Sequence, residues 1–100
     1  MTNTEWGACG GFYLKRLDDE LNTTWKKANT SLEDQQSRTQ LLEEQRSWIK
    51  FRDASCQFYA NGSFGREGQV LHFFACRGAI IEARITDLKS IYELTHQDAR

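Results

Sequence analysis

His72 and Cys76 stand at i and i+4, and Cys56 lies upstream of them across a glycine-rich stretch. On a helix that spacing sets an imidazole and a thiol on one face, a turn apart. With Cys56 opposite, they would supply three ligands of the zinc type, but no fourth accompanies them and no CxxC pair occurs. His72 and Cys76 could also act as base and nucleophile, a use that needs an accessible thiol in an electropositive setting. Two further readings involve no such reactivity: a Cys56–Cys76 disulfide, or two buried thiols packing as small hydrophobes. Cys56 precedes the glycine stretch by about five residues and Cys76 lies about eight beyond it, ~8 and ~12 Å along two helices. The sulfurs can therefore meet across a helical hairpin, where a bond would close a loop of about 20 residues and contribute ~3 kcal/mol. Cys9 makes the cysteine count odd, which leaves one thiol over. There is no GxSxG, no HExxH and no phosphate-binding glycine loop. Without a catalytic constellation, the sequence predicts a non-enzyme that needs neither metal nor cofactor.

The remaining candidate groups are charges and a loop. Arg52-Asp53 and Glu82-x-Arg84 are placed to form ion pairs between helices, with Arg52 to Glu82 the preferred pairing. Residues 61–68 contain three glycines and an Asn-Gly pair, which do not continue a helix. Ser63, Phe64 and Arg66 lie on that connection. Phe64 serves there either as an exposed aromatic anchor for a partner or as a ring tucked into the core.

Three helices must position these groups. The first is predicted from Cys9 or Gly10, with Leu14, Leu17, Leu21, Trp25, Ala28 and Leu32 stepping by three and four. A turn falls within residues 30–37, where Ser31, Asp34 or Ser37 can cap the central helix. That central helix carries Leu41, Gln45, Trp48, Ile49, Arg52 and Cys56 on one side and runs to about Asn61. The last starts near Gln69 and has the most apolar face, interrupted by Gly78 where a neighbouring helix can approach closely. Residues 1–8 and 95–100 read as irregular. The fold class predicted is all-α, an antiparallel three-helix bundle with a stapled loop between helices 2 and 3, in one domain over residues 1–100.

Composition narrows the partners. One hundred residues with 39% hydrophobic and no proline suit a single helical core. A net charge of −1 without a basic stripe argues against nucleic acid. No apolar run approaches the ~18–20 residues of a membrane span. Residues 1–5 show neither a charged nor an apolar leader segment, which fits a cytoplasmic protein or a mature exported one.

Leu21-Asn22, Gln45-Arg46-x-Trp48-x-x-x-Arg52-Asp53-x-x-Cys56, Gly62-Ser63, Cys76 and Glu82-x-Arg84-x-x-x-Leu88 together resemble the LprI-type family, small secreted bacterial proteins whose namesake inhibits lysozyme. The resemblance runs from Thr2 to about Ile91, and Thr2, Glu5 and Cys9 fit its amino-terminal pattern. Three features depart from it: Trp6-Gly7 replaces the usual Met-Asn, the usual upstream cysteine partner of Cys9 is missing, and the loop reads Asn-Gly-Ser-Phe-Gly rather than Gly-Gly-Ser. The resemblance implies an exported, periplasmic or lipid-anchored helical domain with a Cys56–Cys76 disulfide, as an oxidising compartment allows. It implies structural roles for Asn22, Trp48, Arg52, Asp53, Glu82 and Arg84. It also implies a protein partner, a lysozyme or related glycosidase; Ser63, Phe64 and Arg66, on the loop that the disulfide would staple, are the candidate contact. The alternative is a helical interaction module of the cell envelope with a different protein partner.

Overall fold

A computed structural model describes residues 3–96, with side chains from residue 9 onward. All regular structure among these residues is helical: α1 (Asn3–Ser31), α2 (Gln35–Ser55), two short turns α3 (Gln57–Ala60) and α4 (Gly65–Glu67), a π-helical turn (Gly68–His72), and α5 (Phe73–His96).

The core is the seam between α1 and α5. Leu17, Leu21 and Ala28 from α1 meet Ile81, Ile85 and Leu88 from α5, and Ile81 and Leu88 are fully buried. Their spacing by three and four is the reason both segments are helical here: only a helix brings such residues to one face. Thr24 shares the stripe and satisfies its hydroxyl by donating to the Glu20 carbonyl at 2.8 Å. The two helices run in the same direction, since Gly10 faces Phe74, Tyr13 faces Gly78, and Glu20 pairs with Lys89 at 3.5 Å. Trp48 and Leu41 of α2 pack against this seam from the side.

Gly78 is a close approach of helices, as its position in an apolar run suggests: an added Cβ would lie under 3.0 Å from the Tyr13 ring. Gly10 does the same for Phe74. That packing carries α1 through a segment whose glycines favour no helix, and its first residue is Asn3. Residues 3–8 are thus helical rather than irregular. At the other end α5 continues to His96, which makes residues 95 and 96 helical too; residues 97–100 lie outside the described residues.

The turn between α1 and α2 occupies residues 32–34, inside the predicted window. Asp34 is the N-cap, its carboxylate accepting from the Ser37 N–H at 2.8 Å. That bond holds the Asp34 carboxyl below its ordinary pKa. Arg38 ties the turn down by donating from Nε to the Leu32 carbonyl at 2.6 Å.

α2 stops earlier than its sequence suggests. Cys56 leaves helical geometry at φ −107° and ψ 2°, and its N–H turns back to the Ala54 carbonyl. Helix resumes only for Gln57–Ala60. The predicted loop over residues 61–68 is correspondingly shorter, because helical structure restarts at Gly65, itself at φ 67°.

Candidate protein-docking site

The connection between α2 and α5 is fixed at its base by the Cys56–Cys76 disulfide, with Cα atoms 5.9 Å apart. Both thiols are consumed in that bond, so neither is a zinc ligand or a nucleophile beside His72. Cys9 is an exposed free thiol on α1.

A second clamp carries no signal in the sequence. Arg77, next to Cys76, donates to the carbonyls of Asp53 at 3.1 Å and Arg52 at 3.5 Å. Both carbonyls lie in the last turn of α2, where a helix leaves acceptors over. A cation is favoured at that negative end of the helix dipole. The guanidinium also stacks 4.6 Å from the Phe73 ring.

The charged residues expected to be structural sort themselves by register. Arg84 is buried, donates to Gln45 Oε1 at 3.0 Å from Nε, and forms a two-pronged ion pair with Glu44. Its guanidinium also lies 5.4 Å from the Trp48 ring, and Arg52 approaches the same ring at 5.6 Å. Arg52 pairs with Asp53 at 2.9 Å and reaches Asp18 of α1 at 3.7 Å. The predicted Arg52–Glu82 pair does not form: Glu82 turns towards α1 and accepts from the Tyr13 hydroxyl at 3.2 Å. Residues two apart on a helix point ~200° apart, so Glu82 and Arg84 serve different neighbours. Burial, and then Glu82, raise the Tyr13 pKa above 10.0. Asn22 stands on the exposed side of α1.

Above this frame sits the loop. The Ser63 N–H donates to Asn61 Oδ1 at 2.8 Å, closing a tight turn around Gly62 at φ 101°, where a side chain would be strained. Phe64 is neither buried nor free: half its surface is exposed, and the rest packs on Tyr59 at 5.2 Å and edge-on to Phe58 at 5.9 Å. Arg66 and Glu67 are exposed, and neither joins an ion pair among the described residues. Ser63, Phe64 and Arg66 are thus brought to one exposed, disulfide-anchored turn. Phe58 joins them, unmarked by any motif.

A family model described as "Lysozyme inhibitor LprI" matches residues 1–88. No curated protein and no solved structure matches the chain.

Proposed function

Because the chain belongs to the LprI lysozyme-inhibitor family, we propose that it binds a lysozyme or related glycosidase and blocks the cleft with the turn at residues 61–66. The observation that carries this reading is the anchored turn itself, which presents a half-exposed Phe64 and an Arg66 with no ion-pair partner among the described residues. Such a turn loses little conformational freedom on binding. Arg66 has the charge to meet the paired carboxylates on which glycosidases depend, and Phe64 supplies an aromatic anchor. Behind the turn, the helices act as a rigid scaffold, an antiparallel bundle in which Trp48, Arg52, Asp53, Glu82 and Arg84 hold register. The disulfide and the family both support an exported site of action, periplasmic or secreted.

A second reading rests on a different observation. Phe51 of α2 is 58% exposed beside an open groove of about 400 Å³ between α2 and α5 that Trp48, Ile80 and Ala83 also line. A cell-envelope partner other than lysozyme would use that face.

The test is a cell-wall lysis assay against animal-type, goose-type and phage-type lysozymes with the protein kept oxidised. Inhibition at stoichiometric concentration, lost in the Phe64→Ala, Arg66→Ala double variant at unchanged thermal stability, is the expected result. Absence of inhibition of all three enzymes, with the Cys56–Cys76 bond verified by intact mass, would refute it in favour of the groove.

A further inference from the structure

Phe58 and Phe64 are each about half exposed, 49% and 50%, and they touch one another. Single exposed apolar residues are ordinary on any protein, but contiguous ones mark contact surfaces. These two share a base: Tyr59 lies 4.1 Å from Phe58 and 5.2 Å from Phe64, with His72 behind it at 5.8 Å. Four rings from three elements thus form one small pad. Its geometry depends on Gly68, the buried first residue of the π-helical turn. A Cβ there would lie under 3.0 Å from both the Tyr59 carbonyl oxygen and Phe64 Cβ. One obstacle is backbone and the other is the root of a side chain, so neither can swing aside.

We infer that this pad occupies the sugar-binding subsites of the target's cleft, with Gly68 as its positioning residue. The inference rests on the inhibitor reading above. Clefts that bind sugars present apolar and aromatic walls with a few placed polar groups, because the C–H faces of sugar rings are apolar. Two adjacent phenyl rings offer the same kind of surface, and Arg66, two residues beyond Phe64, supplies the charge that the catalytic carboxylates attract. A pad seated in the subsites must compete with glycan, whereas a protein bound beside the cleft need not.

The experiment uses whichever of the three lysozymes the oxidised full chain inhibits. Inhibition kinetics are recorded with and without the N-acetylglucosamine trimer as competing probe. The inhibitor should raise KM with kcat unchanged, and the trimer should displace it. Phe58→Ala should weaken inhibition by about tenfold or more without lowering the melting temperature. Gly68→Ala, whose added Cβ meets both the Tyr59 carbonyl and Phe64 Cβ, displaces both bases of the pad and should therefore weaken inhibition more than Phe64→Ala alone, at a temperature where both variants are fully folded by circular dichroism. Inhibition that lowers kcat, ignores the trimer or survives Phe58→Ala would overturn the pad while leaving the inhibitor reading intact. A wild-type chain that inhibits none of the enzymes would overturn both.

Discussion

Removing the disulfide through Cys56→Ala and Cys76→Ala tests whether the turn is held by chain connectivity or by packing alone. The bond joins residues 20 apart in sequence. In the chain-entropy picture, opening a loop of that size restores about 11 cal/mol/K to the unfolded ensemble, or ~3 kcal/mol at 25 °C. For a domain of about 100 residues this lowers the melting temperature by roughly 15 °C. The α1–α5 seam does not include either cysteine, so the variant should still fold, with an unchanged helical signal at low temperature. Urea denaturation followed by tryptophan fluorescence would give the difference directly, and reduction of the wild-type protein provides a control free of any mutation. A loss below ~1 kcal/mol in both experiments would refute the reasoning. It would mean that Arg77 and the aromatic pad already hold the turn without the covalent bond.

Other perturbations act on single contacts. Arg84→Ala strips buried Gln45 of its donor and uncovers Trp48, and should cost about 2–4 kcal/mol; Arg84→Met, which keeps the bulk, should cost less, as chemical denaturation of the pair would show. Gly78→Ala forces the Tyr13 ring away from Glu82 and should destabilise the fold by about 1–3 kcal/mol while returning the Tyr13 pKa towards 10.0 in an ultraviolet titration. Because the folded Tyr13 pKa is raised, its contribution to stability is complete below 10.0 and is lost as pH rises through the higher folded value. Asp34 behaves oppositely: its folded pKa is depressed, so its contribution is present above 3.8 and disappears as pH falls through the lower folded value. Asp34→Asn, which can still accept from the Ser37 N–H, should remove that acid-limb dependence in melting curves.

Much of the fold can be read from spacing. The stripe through Leu17, Leu21 and Ala28 and its counterpart through Ile81, Ile85 and Leu88 identify the buried faces, because helical period and burial are coupled along a single segment. Gly78 is legible for the same reason: a glycine costs too much inside an apolar helix unless something must come near. Partner choice is another matter. Which carboxylate meets Arg52 depends on the offset between helices, which no periodicity within one helix encodes, and a pairing drawn from charge alone favours Glu82 over Asp18 and Asp53. The break at Cys56 is hidden because no glycine or proline marks it in the sequence. Phe58 escapes notice because it lies outside the glycine-rich turn and contacts Phe64 only through the bend that Cys56 makes.

The parallel course of α1 and α5 shapes how this chain must fold. The Tyr13–Glu82 contact spans 69 residues, whereas Arg84 and Gln45 are 39 apart and the cysteines 20. Closing a short loop sacrifices less chain entropy than closing a long one, and non-local contacts form late. Asn29 and Arg38, nine apart, likewise join α1 to α2, so the α1–α5 seam is the least local contact and should form last, after the two hairpins that α2 makes with its neighbours. The main core lies in that seam, so neither hairpin buries much apolar surface until α1 and α5 meet. Core substitutions in α1, such as Leu21→Ala, should consequently speed unfolding far more than they slow folding. Native-state hydrogen exchange should show α1 opening before α2 and α5. The disulfide guards the hairpin that carries the exposed turn, while half of the main core belongs to a helix that no disulfide among the described residues retains.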